Sequence, residues 1–148
     1  MIAVDTNILV HAHRNDSPWH ESARTVVAAL AEGQSAWAIP WPCVHEFLSV
    51  VSNVKIMQPP TPMRLAIDQV EAWAESGKLI FLAESAAHLT ALKRLALAGQ
   101  VRGARIHDAR IAAICLQHGV REVWTADRDF SLFPDLKTRN PLVARKRD

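Results

Sequence analysis

Met1-Ile2-Ala3-Val4-Asp5-Thr6-Asn7 decides how the rest of the chain is read. Ile2, Ala3 and Val4 are continuously apolar rather than alternating, the pattern of a strand covered on both faces in a parallel sheet. The run then stops at a carboxylate, a hydroxyl and an amide. Asp5 therefore falls at the carboxyl end of a buried strand, the edge where open α/β sheets hold their ligands. An acid has little structural reason to end a buried strand, so Asp5 is the sharpest functional candidate of the chain.

Working outward, Ile8-Leu9-Val10 stays apolar before His11, Ala12, His13 and Arg14 turn polar, which reads as a short helical turn beneath the strand end. Asp16 or Ser17 is the expected cap of a helix with Pro18 in its first turn, running to about Glu32 and stopped by Gly33. Ala36 to Ile39 reads as a second strand. The next helix spans Cys43 to about Val54, with Val44, Phe47, Leu48 and Val51 inward and Glu46 near its amino end. Thr61-Pro62 caps a third helix that turns Leu65, Ile67, Val70 and Trp73 inward and ends at Gly77.

Leu79 to Leu82 is a third strand, followed by a helix from Ser85 through Ala98. After a loop carrying Arg102, Ile106-His107-Asp108 opens a helix that buries Ile111, Ile114 and Cys115 and closes at Gly119. Glu122 to Thr125 is a fourth strand delivering Ala126-Asp127-Arg128-Asp129-Phe130. A fifth strand is expected over Leu136 to Thr138. Strands alternating with helices predict an α/β fold with right-handed crossovers. Residues 1–143 are expected to form one domain, and 144–148 a charged tail.

The whole chain has 148 residues, 17 basic against 15 acidic, and about half its residues are apolar. This is enough for one genuine core. The net charge of +2 is too mild to identify a nucleic-acid partner. Cys43 and Cys115 are far apart and read as small buried hydrophobes rather than a disulfide. With no secretory pattern at the start and no apolar run of membrane length, the expectation is a cytoplasmic protein.

Four acids share a predicted address. Asp5 and Asp127 follow strands, Glu46 lies on the helix after the second strand, and Asp108 sits in the first turn of the helix before the fourth. Carboxylates gathered at one sheet edge cannot all remain ionised without a counter-charge. A divalent cation removes that conflict, and oxygen-only ligands favour Mg²⁺ or Mn²⁺ over Zn²⁺. Such a cation can polarise a phosphoryl oxygen and acidify water, which is the chemistry of phosphodiester hydrolysis.

Taken together, Val4-Asp5-Thr6-Asn7, Pro42 to Glu46, His107-Asp108-Ala109 with its following Ile-Ala-Ala-Ile, and Thr125 to Phe130 resemble a PIN domain, and more closely the VapC-type toxins of toxin–antitoxin pairs. The resemblance covers nearly the whole chain. It implies a three-layer α/β/α domain with a central, mostly parallel sheet of four to five short strands. It implies a metal-dependent ribonuclease in which Asp5, Glu46, Asp108 and Asp127 match the acidic quartet and bind Mg²⁺ or Mn²⁺. Thr6, Asn7, Thr125 and Asp129 match supporting positions. It further implies a homodimer, silenced by a cognate antitoxin, that cuts RNA such as tRNA or ribosomal RNA; the early helices are the expected dimer contact.

Arg102, Arg105 and Arg128 are candidates to hold phosphates, and Trp41 to stack a base; each is weighed against an ordinary solvated or packing role. His11 and His13 read as surface or partner-contact residues. Two alternatives keep the fold: a structure-specific DNA nuclease, and a catalytically idle binding module. A phosphatase with Asp5 as nucleophile is disfavoured, because Asn7 stands where that chemistry wants a second acid.

Overall fold

The computed structural model describes residues 1–143, so the charged tail expected over 144–148 lies outside the described residues. Five parallel strands form one sheet: β1 (Ile2–Val4), β2 (Trp37–Pro40), β3 (Leu79–Leu82), β4 (Glu122–Trp124) and β5 (Thr138–Arg139). Their spatial order is β3-β2-β1-β4-β5. Six helices connect them: α1 (Thr6–His13), α2 (His20–Glu32), α3 (Trp41–Val51), α4 (Met63–Ala74), α5 (His88–Ala98) and α6 (Ile106–Gln117).

The order of strands fixes the layers. From β1 to β2 to β3 the chain steps in one direction; from β3 to β4 it jumps back past β1. Right-handed crossovers then put α1 to α4 on one face and α5 and α6 on the other. The packing agrees: α1 lies against α2 and α3, α3 against α4, and α5 against α6. This is the expected three-layer α/β/α architecture. Between β1 and β4 the direction of winding reverses, and the carboxyl ends of such a pair open a crevice. In register, Ile2, Ala3 and Val4 stand opposite Glu122, Val123 and Trp124. The next step along each strand therefore places Asp5 beside Thr125.

Ala3, Val4, Trp37, Ala38 and Ile39 are fully covered, as continuous apolar strands require. Cys43 and Cys115 are both buried and free. Trp37, Trp73 and Trp124 are core, whereas Trp19 and Trp41 are 44% and 39% exposed.

Several expected boundaries shift, each for a local reason. The polar turn after the first strand is a complete helix, α1, capped by Asp5 itself, whose carboxylate accepts from the Thr6 amide. α2 begins at His20 rather than Pro18 because Ser17 closes a turn: its hydroxyl accepts from the Trp19 amide and its carbonyl from His20. Ser85 does the same for Ala87 and His88, so α5 also starts later. Pro42 is tolerated in the first turn of α3, where its missing N–H needs no partner, and that helix starts at Trp41.

On α4, Trp73 is buried and Val70 packs against the core as expected, but Leu65 and Ile67 are 55% and 42% exposed and Ala66 is buried beside Trp73. Large apolar side chains are exposed over Val54, Ile56, Met63, Leu65 and Ile67, after α3 and on α4, and also at Leu89 and Leu97 of α5. β5 falls later than expected because Leu136 turns inward, its amide donating to the Phe133 carbonyl.

The end of α1 is anchored by Arg14. Its guanidinium makes a two-pronged pair with Asp16 and also donates to the Pro59 carbonyl and the Thr61 hydroxyl. The long connection before α4 is thereby tied to the helix that carries Asp5 as its cap. No described helix is long and apolar enough to cross a membrane.

Candidate metal centre

Asp5 is only 5% exposed, yet both of its oxygens are satisfied. Oδ1 accepts from the Thr6 amide at 2.8 Å and faces the Cys43 thiol at 3.5 Å. Oδ2 accepts from the Thr125 hydroxyl at 2.8 Å and the Asn7 amide at 3.2 Å. Burial pushes the carboxyl above its usual range, the donors from Thr125, Thr6 and Cys43 pull it back, and the charge of Glu46 adds a further push upward. Four donors aimed at one buried carboxyl orient it tightly.

Asn7 extends this network across the sheet. Its amide donates to the Thr125 hydroxyl at 3.1 Å, and its carbonyl accepts from the Ala126 amide at 2.9 Å. The Thr125 hydroxyl in turn accepts from the Asp127 amide at 3.0 Å, and Asp127 Oδ1 accepts from the Asp129 amide at 2.8 Å. The loop after β4 is thus folded back onto the start of α1. Thr6, the next residue of α1, donates its hydroxyl to Glu46 Oε2 at 3.0 Å and draws the exposed carboxylate of α3 to the same edge.

Asp108 stands half-buried in the first turn of α6. Carboxylate oxygens of Asp108, Asp127 and Asp129 all lie within 4.8 Å of one another. Burial, then the charges of Asp127, Asp5 and Asp129, push the Asp108 carboxyl up to about 6, against the opposing pull of Arg105. Asp5, Glu46, Asp108 and Asp127 line one cleft of about 270 Å³, with Asn7 and His11 among its other walls. A larger cleft of about 520 Å³ lies at the opposite edge of the sheet, beside Met1 and Arg121, and no carboxylate lines it.

The four acids singled out in the sequence therefore share a cleft, while the tightest group is a different set. Asp129, ranked there as supporting, joins Asp108 and Asp127; Asp5 and Glu46 stand outside that trio. Arg105 pairs with Asp129. Arg102 lines a neighbouring cleft with Arg105, and Arg128 is exposed at the start of the 3₁₀ turn Asp129–Leu132. One face of Trp41 is stacked on Phe81, with ring centroids 4.6 Å apart, and His45 lies 6.1 Å away.

Sequence reasoning missed two residues here. Cys43 lies beneath Asp5, and nothing in its surroundings in the chain marks it. His11 lines the cleft and bonds Ser17 at 2.7 Å; its spacing of four from Asn7 on one helix was the available signal. His13 is partly buried: it bridges Gln69 and Thr61 and meets Phe47 edge-on.

The donor set fits a hard divalent cation. The clustered ligand atoms are all carboxylate oxygens, which suits magnesium or manganese chemistry better than zinc. Burial first, and the charges of Asp127, Asp5 and Asp129 after it, raise the Asp108 carboxyl, and a cation held by these oxygens would offset the charge.

Comparison with known proteins comes to the same fold. A family profile described as PIN domain matches residues 2–136. Ribonuclease VapC43 of Mycobacterium tuberculosis is 32% identical over 143 residues, covering 96% of each chain. Ribonuclease VapC48 of the same species is 28% identical over 138 residues, covering 93% of this chain and 95% of the relative. Among solved structures, VapBC2 from Rickettsia felis bound to a DNA fragment from their promoter aligns with a TM-score of 0.68. That match has 18% identity and covers 94% of this chain and 98% of the other.

Proposed function

Since this chain belongs to the PIN-domain family, we propose that it is a metal-dependent endoribonuclease, the toxin of a toxin–antitoxin pair, and that Mg²⁺ or Mn²⁺ is its cofactor. The observation that carries this reading is the single cleft lined by Asp5, Glu46, Asp108 and Asp127 at the point where the sheet reverses its winding. The ribonuclease names of the relatives support the reaction class.

Asp108 and Asp127 would hold the cation from one side of the cleft and Asp5 from its floor, with Glu46 on the α3 side. When bound, a divalent cation supplies charge that stabilises the phosphoryl oxygens and acidifies water. The protein's share is positioning. Thr125 and Asn7 fix Oδ2 of Asp5, so the carboxylate meets its ligand already oriented. Thr6 donates to Glu46 Oε2 and so fixes that carboxylate at the cleft. In the cation-free protein, the Asp108 carboxyl exchanges its proton near pH 6 and must lose it to act as a ligand.

The partner is a cognate antitoxin, consistent with the VapBC pair among the structural neighbours. The protein works on cellular RNA in the cytoplasm as a homodimer, and the exposed apolar surface over Val54, Ile56, Met63, Leu65 and Ile67 is its contact.

The test is cleavage of matched single-stranded RNA and DNA with Mn²⁺, beside Asp108→Asn. Cleavage of RNA by the wild type, abolished in the folded variant, is expected. Equal cleavage of RNA by both proteins overturns the reading, and cleavage of DNA alone replaces it with a DNA nuclease.

A further inference from the structure

The acid cluster is the wall between two clefts. Asp108 and Asp127 face the first. Asp129 lines the second, of about 320 Å³, together with Gln100, Arg102, Arg105 and Ser131. The loop that forms it is set by unusual backbone: Gln100 has φ 51 and Gly103 φ 57. Gly99 is seated so closely that an added Cβ would stand 3.1 Å from the Leu95 carbonyl and 3.2 Å from that of Leu132. The loop is thereby pressed onto the 3₁₀ turn that carries Asp129. Across this junction Arg105 Nη1 and Asp129 Oδ1 are 2.5 Å apart, each side chain less than half exposed.

We infer that this second cleft is a phosphate-binding subsite for the RNA backbone beside the bond being cut, with Arg105 as its anion contact and Asp129 as the residue that positions Arg105 rather than a ligand of the cation. The inference rests on the ribonuclease reading and extends it. An RNA strand laid across a cluster of carboxylates is repelled unless positive charge stands next to them, and Arg105 stands there. A guanidinium has five donors in a rigid fork, so one edge can hold a carboxylate while another holds a phosphate. Asp129, neutralised by this pairing, is a weaker donor to a cation than Asp108 or Asp127. No aromatic ring lines the second cleft, so its chemistry suits backbone phosphate rather than a stacked base. Gln100 and Ser131 add neutral hydrogen-bonding groups, and Arg102 adds charge at the rim.

The test joins two titrations of the full chain. Mn²⁺ binding is measured by calorimetry. Binding of a short, fluorescein-labelled, random-sequence single-stranded RNA is measured by anisotropy in EDTA over a salt series, so that no cleavage intrudes. Arg105→Gln is expected to weaken RNA binding roughly fivefold and to make the salt slope shallower by about 0.7, the share of one phosphate on a single strand. Arg105→Lys keeps most of that slope. Asp129→Asn weakens RNA binding about threefold, although removal of a negative charge by itself would tighten it. Both Arg105→Gln and Asp129→Asn keep Mn²⁺ affinity within about twofold, while Asp108→Asn lowers it about tenfold or more.

The inference is overturned if Asp129→Asn loses Mn²⁺ affinity as far as Asp108→Asn does, if Arg105→Gln leaves RNA affinity and slope unchanged, or if Asp129→Asn tightens RNA binding. A wild type that binds no RNA at any salt refutes the ribonuclease reading, and the subsite with it.

Discussion

The Thr125 hydroxyl donates to Asp5 Oδ2 at 2.8 Å, joining residues 120 positions apart in sequence. The bond is possible because β1 and β4 are neighbours in register, each ending one residue before its polar partner. Thr125 is 3% exposed, and the same oxygen accepts from Asn7 and from the Asp127 amide. One hydroxyl thus orients two acids of the cleft.

Thr125→Val keeps the shape and removes that oxygen. The Asp127 amide and one lone pair of Asp5 lose their partner, which costs about 1–3 kcal/mol. Urea unfolding in EDTA should show this loss. Cleavage of RNA should fall about 10- to 100-fold, the usual effect of removing a group that orients a ligand. An unchanged cleavage rate would refute the positioning role.

Asp5→Asn and Asp108→Asn should both abolish cleavage but separate in stability. Asp5 accepts from donors on both oxygens, and an asparagine amide nitrogen cannot accept, so Asp5→Asn is destabilised without metal. Asp108→Asn removes a charge that its neighbours oppose, so the metal-free variant melts higher than the wild type at pH 8. Added Mn²⁺ should raise the melting temperature of the wild type and leave that of Asp108→Asn nearly unmoved. Melting curves with EDTA and with Mn²⁺ distinguish all three proteins.

The Asp108 carboxyl titrates at about 6 in the folded chain and at its ordinary 3.8 when unfolded. Between those values the folded state holds more protons than the unfolded one, so this residue's contribution to stability is lost as pH rises through 6. Asp5, raised by burial, adds to the same trend. Asp16 and Glu84, lowered by their arginine partners, act with the opposite sign. The informative quantity is therefore the wild type minus Asp108→Asn. In EDTA, that difference in urea midpoint should shrink toward acid pH and grow against the wild type from pH 4 to 7. A flat difference would refute the raised Asp108 carboxyl.

Arg14→Lys should destabilise the chain by about 1–3 kcal/mol, because a point charge cannot reproduce a planar fork bonded to Asp16, Pro59 and Thr61 together. Limited proteolysis should then cut first in the connection between α3 and α4. Cleavage elsewhere would show that Arg14 does not hold that segment down.

Much of this was readable before any coordinates. An apolar run ending in an acid is a local signal, and Val4-Asp5 and Trp124 to Asp127 both carry it. The pairing of β1 with β4 is not in that signal: crossover handedness fixes which face a helix covers, not which strands are neighbours. What the sequence does not carry is which side chains face each other across elements. Arg105 and Asp129 belong to separate turns, and only the pressing of one loop onto another brings them together. Ser17 and Ser85 looked like caps because capping and turn closure use the same hydroxyl; the choice between them lies in backbone angles. Hydrophobicity alone points Leu65 and Ile67 inward, whereas Ala66 and Trp73 hold the buried face of α4.

The wedge of β4 beside β1 also sets a timetable. During translation, Asp5 and Glu46 emerge early, but the groups that complete their surroundings are joined to the chain only with Thr125 and Asp127. The four-acid cleft therefore cannot exist until that late strand has slotted in beside the first.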